Sequence, residues 1–214
     1  PAFALVVIAC HRQGYGNLCA FISRLRRSSA KGQYRLLPDE VQSDTLADCV
    51  VLACPERSAT DASLHALGRW LLARFPGRCW IGVEQPCRLD DMRWLQRLQV
   101  MSANTAISLV AVGHVHMHVR SRKPLQDVLT AVRHGRPLRE CGVLLQRNAE
   151  QHLRPRMRLA QLFPPDLLAE SVRVADRCRF SLDELRYCYP QEVVPPGCTP
   201  IQHLRQVTRE GAAR

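Results

Sequence analysis

The chain has 214 residues, of which 46% are hydrophobic and 6% aromatic, enough for one sizeable core or for one core with a small appendage. This composition excludes a disordered tail and a disulfide-stabilised miniprotein. Basic residues outnumber acidic ones by 30 to 19, and the formal net charge of +11 favours polyanionic partners.

Arginine supplies 28 of the 30 positive charges, since Lys31 and Lys123 are the only lysines. Its planar guanidinium suits phosphate better than a mobile ammonium does. The alternative is a general compositional bias towards arginine, which would scatter charge along the chain rather than cluster it.

The ten cysteines include no C-x-x-C pair, and several lie in or beside apolar runs where cysteine serves as a small core residue. No apolar run reaches the roughly 18–20 residues that span a bilayer, and the apolar start at Phe3 lacks a basic leader. These features predict a cytoplasmic protein with no membrane partner. The abrupt start on a strand pattern also predicts a fragment of a longer protein.

Four apolar runs of strand length alternate with segments of helical periodicity. The predicted strands are residues 3–10, 49–54, 80–84 and 107–112, and the helices that follow them are 17–25, 61–75, 90–101 and 124–134. A turn at 14–16 is predicted to separate the first strand from its helix, and Thr60 to cap the second helix.

Such continuous apolar strands are typical of a parallel sheet with helices packed against it. An open doubly wound sheet and a barrel both fit this pattern. Beyond Gly142 the strand signal fades into two predicted helices, a proline-rich connector and a last helix, at 149–162, 166–178, 187–200 and 200–210.

The sharpest local motif is Gly-His-Val-His-Met-His at residues 113–118. If the fourth strand continues through it, His114, His116 and His118 lie on one side at the carboxyl end of the strand, the edge where α/β folds place their sites. Neutral imidazoles there are suitable ligands for zinc or manganese, given at least one further ligand. The alternative is a polar loop whose histidines only form hydrogen bonds.

Two other candidate ligands lie at or near the carboxyl ends of the second and third strands. Cys54 and Glu84 are predicted to face the same edge as the histidines. Taken singly, each also fits a structural role, as a buried small thiol and as a paired or capping carboxylate.

A basic turn follows the histidines, with Arg120, Arg122 and Lys123 just before Pro124, where a helix is predicted to start. Cations beside free helix N–H groups receive phosphate well, so this turn is a candidate phosphate or DNA contact. A solvated charged turn is the alternative.

Three segments carry a resemblance to a known family. They are His-Met-His-Val-Arg-Ser-Arg-Lys-Pro at 116–124, Asn-Ala-Glu-Gln-His-Leu-Arg at 148–154 and Arg-Phe-Ser-Leu-Asp-Glu-Leu-Arg-Tyr at 179–187. Together they resemble the error-prone branch of the bacterial DNA polymerase III alpha-subunit family. Gly-Tyr-Gly-Asn-Leu at 14–18 resembles the same region, so the resemblance covers essentially the whole chain.

The resemblance implies a partial PHP domain, a distorted seven-stranded (β/α)7 barrel with parallel strands, a metal-binding cleft and a helical C-terminal segment. It implies an incomplete barrel at 1–142, whose opening strands are missing, then the helical end of the PHP region with its connector at 143–198. Residues 199–214 would begin the polymerase palm. His116 matches a metal ligand of the family pattern, whereas His114 replaces an Asp, exchanging an anionic oxygen for a neutral nitrogen. Cys54 falls at a family cysteine whose flanking residues differ here.

Three functions follow as expectations. In the first, the parent protein is a DNA-directed DNA polymerase for damage-tolerant synthesis, with DNA, dNTPs and other replication or translesion proteins as partners. Its absent palm would use Mg²⁺, so this piece alone would not polymerise. The alternatives are a PHP-type metal-dependent phosphoesterase, whose site is incomplete here, and a non-enzymatic docking module.

Overall fold

Four strands form one open sheet in the order β1–β2–β3–β4. The structure, a computed structural model, describes residues 3–33, 36–42, 44–186 and 193–213. The strands are β1 (Phe3–Ala9), β2 (Cys49–Pro55), β3 (Cys79–Glu84) and β4 (Leu109–Val112).

The sheet is mixed, which corrects the all-parallel prediction. β2, β3 and β4 run parallel, but β1 is antiparallel to β2, with Ala9 opposite Cys49 and Phe3 opposite Pro55. Within the described residues no strand pairs with the outer edge of β1, and the edge of β4 is covered by a helix. The α/β class is therefore confirmed, whereas the sheet is open and the barrel prediction is not confirmed.

The direction of β1 follows from how its connection to β2 is folded. Helix α1 (Arg12–Arg27) leads away from the end of β1, and the chain then returns along that helix. Asn17 donates to the Ala47 carbonyl at 3.0 Å, and Arg24, further along α1, donates to Thr45 at 3.3 Å. A helix followed by a segment that runs back along it returns the chain to the end of the sheet where β1 finishes. A helix alone would have carried the chain to the opposite end of the sheet, as in a parallel crossover.

The remaining helices within the described residues are spaced along the rest of the chain. They are α2 (Asp61–Arg74), α3 (Asp91–Thr105), α4 (Lys123–His134), α5 (Arg156–Leu162), α6 (Pro165–Arg177) and α7 (Pro200–Ala212). The predicted cap of α2 is confirmed, because the Thr60 hydroxyl accepts from the Ser63 amide at 3.2 Å. The part of the chain described here contains no helix long and apolar enough to cross a membrane.

The main core lies on one face of the sheet, here called the helix face. Val51 and Ala53 of β2 and Ile81 and Val83 of β3 are fully buried there, among apolar side chains of α1, α2 and α3. Burial of each large aliphatic side chain is worth about 1.5–3 kcal/mol, so this face supplies most of the hydrophobic stabilisation.

The opposite face is covered less completely. Leu52, Trp80 and Val110 pack there against Val174 near the end of α6. On β1 the side chains of Val6 and Ile8 are 43% and 37% exposed, so the strand alternates between buried and half-exposed positions. β1 is thus an edge strand with one open face rather than the doubly buried strand that its continuous apolar run predicts.

Two predicted helices have different bounds in the structure. α1 begins at Arg12, so the predicted turn at 14–16 is helical, and buried Gly14 faces the chain segment that returns along the helix. The helix predicted at 149–162 forms only as α5, because Pro155 disfavours helical backbone in the residue before it. The predicted connector at 187–200 lies partly outside the described residues.

The chain divides into two units, Pro1–Ser181 and Leu182–Arg214. The first contains the sheet and helices α1 to α6. The second contains α7, where the Thr199 hydroxyl and the Gln202 side chain form a reciprocal capping box at the N-terminus. Both cores of the sheet belong to the first unit.

Gly14 and Gly16 provide a matched pair of helix substitutions. A Cβ at residue 14 would lie 2.1 Å from the Asp48 carbonyl oxygen, whereas one at residue 16 meets nothing within 4 Å. We expect Gly14→Ala to lower the free energy of unfolding by about 2–3 kcal/mol, because the returning backbone must shift. Gly16→Ala is expected to raise it by about 0.5–1 kcal/mol through helix propensity. Urea denaturation of both variants checks this, and equal effects would contradict the close approach.

Candidate functional site

Four of the predicted ligands meet at the carboxyl edge of the parallel strands. Cys54 lies near the end of β2 and Glu84 ends β3, where it stands opposite Val112 of β4. His114 follows Val112 by two residues and His116 by four. We call Cys54, Glu84, His114 and His116 the rim cluster.

Gly82 makes the close spacing of the rim cluster possible. A Cβ at this position of β3 would lie 2.6 Å from the Cys54 sulfur and 3.2 Å from a methyl carbon of Val112. Because glycine has no side chain there, residues of the two flanking strands approach each other across β3. The close approach of the rim residues thus depends on Gly82, which has no functional side chain of its own.

His114 and Glu84 form a hydrogen-bonded pair. The distance from His114 Nδ1 to Glu84 Oε1 is 2.8 Å, and the two side chains are 50% and 26% exposed. β4 ends at Val112, and His114 has a φ of 42°, in the left-handed region. The strand therefore does not continue through the histidines, and the backbone turns just where His114 meets the carboxylate.

His116 lies beside His114, with ring centroids 4.6 Å apart and planes inclined by 32°. Burial lowers the pKa of His116 below its ordinary value, and neighbouring His114 lowers it further against the opposing effect of Glu84. Its amide donates to the Gln151 carbonyl at 2.9 Å, which fixes the loop to the segment before α5. At neutral pH His116 thus carries an uncharged ring.

Cys54 is the most deeply placed member of the rim cluster. Burial raises the pKa of its thiol to about 11, and the charge of Glu84 acts in the same direction. The side chain is therefore a protonated thiol at neutral pH, whereas metal ligation requires the thiolate. This agrees better with a small packed side chain than with a ligand.

The rim cluster meets in pairs rather than as a complete ligand set. Within the described residues no three His, Cys, Asp or Glu side chains are placed to hold a metal ion. The Nδ1 atom of His114 is engaged by Glu84, which leaves Nε2 as the ring nitrogen that could ligate a metal. Metal binding at the rim cluster stays a prediction.

His118 lies in a groove that His116 also lines. This shallow groove of about 300 Å³ is lined as well by Arg122 and by the apolar residues Leu125 and Leu129 of α4. Leu125 and Leu129 are about half exposed. The three histidines therefore have different contacts. His114 pairs with Glu84, and His118 lines the groove, while His116 lies beside His114 and also lines the groove.

The three cations of the basic turn differ in their surroundings. Arg120 pairs with Glu150 at 2.7 Å, and Lys123 pairs with Asp127 one helical turn away at 2.6 Å. Arg122 has no acidic partner among the described residues, and it lines the groove beside His118. The turn therefore offers one uncommitted cation rather than three.

Glu150 is a site residue that the sequence reasoning missed. Its carboxylate lies 2.7 Å from Arg120 and 3.8 Å from Arg158, and it accepts a bond from the Cys87 thiol at 3.5 Å. Burial alone would raise the pKa of Glu150, but the Cys87 hydrogen bond and the charge of Arg120 hold it below the ordinary value. Glu150 lies in the motif at 148–154 that carries the family resemblance, which could have marked it as a candidate. The sequence of that motif does not show which residues Glu150 contacts.

We expect Glu150→Gln to lower the free energy of unfolding at pH 7 by about 1–2 kcal/mol, because two guanidiniums lose their carboxylate. A depressed folded-state pKa gives stability that is present above the ordinary carboxyl pKa and lost as pH falls. The difference between wild type and variant should therefore shrink towards pH 3, as measured by urea denaturation.

Glu140→Gln is the matched control, because that side chain is 56% exposed and lies 3.6 Å from Arg139. We expect its effect at pH 7 to stay below about 0.5 kcal/mol. A loss for Glu150→Gln that is independent of pH would show that the carboxylate charge is not what stabilises this loop.

Comparison with known proteins agrees with the family resemblance. No protein-family model matches the chain. An error-prone DNA polymerase of Methylococcus capsulatus is 50% identical over 209 residues, which is 98% of this chain and 20% of that polymerase. Those of Dechloromonas aromatica and Pseudomonas aeruginosa are 46% and 41% identical, each over 98% of this chain and 20% of the relative.

The chain thus spans about a fifth of the length of these relatives. The alignment covers nearly the whole chain, well beyond the three segments that first indicated the resemblance. The resemblance is confirmed: this chain is homologous to one segment of the error-prone DNA polymerases.

Proposed function

We propose that this chain is the PHP region of an error-prone DNA polymerase used in damage-tolerant synthesis. The observation that carries the proposal is 50% identity to a protein of that name over 98% of the chain. In the whole polymerase, DNA and dNTPs are the partners, and Mg²⁺ supports nucleotidyl transfer on carboxylates of another segment. This segment has a structural and DNA-facing role.

Many of the arginines that give the chain its charge serve the fold. Arg78 donates to the Leu46 carbonyl at 2.5 Å, and Arg177 donates to the Gly77 carbonyl at 2.9 Å. Arg97 pairs with Asp61 at 2.7 Å. These guanidiniums fasten loops to the sheet and helices, so the count of 30 basic residues overstates the number of cations available to a partner.

The basic turn is the surface we assign to DNA. Arg122 is the uncommitted cation there, whereas Glu150 already neutralises Arg120 and Asp127 already neutralises Lys123. Phosphate contacts give affinity without sequence preference and release counterions, so binding at this turn weakens as salt is added. Arg122 is therefore the member of the turn that contributes most to such binding.

Arg122→Ala is expected to weaken DNA binding about two- to threefold in low salt and to reduce the salt slope by about one. Arg120→Ala is the matched comparison, since it removes a similar cation that Glu150 already neutralises, and its effect should be smaller. Fluorescence anisotropy with a labelled primer–template duplex at several salt concentrations measures both. Equal losses for the two variants would contradict the assignment.

We expect the 214-residue chain alone to incorporate no dNTP on a primed template, because template-directed transfer needs two metal ions held by carboxylates. A primer-extension assay with Mg²⁺ and all four dNTPs tests this beside a full-length error-prone polymerase as positive control. Primer extension by the chain alone would overturn the proposal that nucleotidyl transfer needs another segment of the polymerase.

A further inference from the structure

Two cysteines far apart in sequence lie side by side in the first unit. Cys10 directly follows β1, and Cys178 is the residue at which α6 ends. The amide of Arg179 donates to the Cys10 carbonyl at 2.9 Å. Because this backbone hydrogen bond joins atoms next to both α-carbons, the two cysteines are spatial neighbours, as a disulfide requires.

Both side chains lie in the apolar cluster on the face of the sheet opposite the helix face. Cys10 is 7% exposed, while Cys178 is partly exposed at the border of that cluster. Burial raises the pKa of the Cys178 thiol, and the charge and hydrogen bonding of the Cys10 thiol raise it further. Cys178 thus packs against the buried cluster that contains Cys10.

A third cysteine, Cys49, is close enough for the charges of Cys10 and Cys178 to raise the pKa of its thiol, but it packs in a different cluster. Cys49 packs in the core on the helix face, and its thiol donates to the Gly14 carbonyl at 3.3 Å. It is only 1% exposed. Cys49 is therefore a poor partner for either thiol and a suitable internal control.

The segment that carries Cys178 is fixed where it meets Cys10. Phe180 stacks on Tyr15 of α1 with ring centroids 4.8 Å apart and planes inclined by 22°. This ring pair and the Arg179 hydrogen bond hold the chain after α6 on the junction between β1 and α1. Both contacts keep Cys178 close to Cys10.

We propose that Cys10 and Cys178 are a reversible redox pair that a peroxide converts into a disulfide. The sulfur of Cys178, the more exposed thiol, attacks the peroxide, so that an S–O bond forms, the O–O bond breaks and water leaves. The sulfur of Cys10 then attacks Cys178, the S–S bond forms and the S–O bond breaks, and a second water leaves. Two thiols lose two electrons and two protons, and one hydrogen peroxide is reduced to two waters.

The bond joins the first strand to the end of the last helix in the sheet-containing unit. Nearly the whole of that unit then lies within one covalent loop, which restricts the unfolded chain strongly. Because the thiolate is the reacting species and the pKa of Cys178 is raised, the reaction is faster at pH 9 than at pH 7. A thiol reductant restores both cysteines.

The test treats the full 214-residue chain with hydrogen peroxide at pH 8.5, blocks remaining thiols and identifies linked peptides by mass spectrometry without reduction. We expect a peptide linking Cys10 to Cys178 that disappears after dithiothreitol. The melting temperature of the oxidised protein should rise by at least about 3 °C and return on reduction.

Cys178→Ser is expected to abolish the linked peptide and the thermal shift, and Cys49→Ser to retain both. Cys178 is partly exposed, so its serine variant tests the pair without a polar substitution in the deep core. Linkage of Cys10 to Cys49, no linked peptide in folded wild-type protein, or a thermal shift that survives in Cys178→Ser would each overturn the proposal.

Discussion

The structure depends on the burial of its two central strands on both faces. Val51 and Ala53 of β2 and Ile81 and Val83 of β3 have no exposed surface on the helix face, and Leu52 and Trp80 are nearly as buried on the other. Helices α1, α2 and α3 cover the first face together with side chains of α5 and the start of α6, whereas the end of α6 covers the second. A strand buried on both sides forms its hydrogen bonds with neighbouring strands, so β2 and β3 fix the positions of β1 and β4.

The rim cluster is a consequence of the parallel order of β2, β3 and β4. Parallel strands bring their carboxyl ends to one edge, which is why residues as distant in sequence as Cys54 and His116 become neighbours. Gly82 then sets how closely they approach. Glu84 and His114, two of the predicted metal ligands, form a hydrogen bond with each other.

The sequence predicted the elements far better than their connections. Apolar periodicity located all four strands, and the Thr60 cap was found from residue type alone. The antiparallel direction of β1 could not be predicted, because it arises from contacts of α1 with the returning segment, such as that of Asn17 with Ala47. At the site, strand ends predicted which side chains gather, but the pairing of Arg120 with Glu150 depends on a loop contact that no local pattern encodes.

The contacts of two arginines that fasten loops constrain which substitutions the chain accepts. Arg78 reaches two carbonyls, of Leu46 and Cys49, while its guanidinium lies 5.0 Å from the centre of the Phe75 ring. Arg177 similarly combines the Gly77 carbonyl with the Trp80 ring. A lysine keeps the charge but has neither the planar stacking surface nor the fixed fork of donors. At these positions the abundance of arginine therefore reflects geometry, and a chain of equal net charge built from lysine would lose these loop anchors.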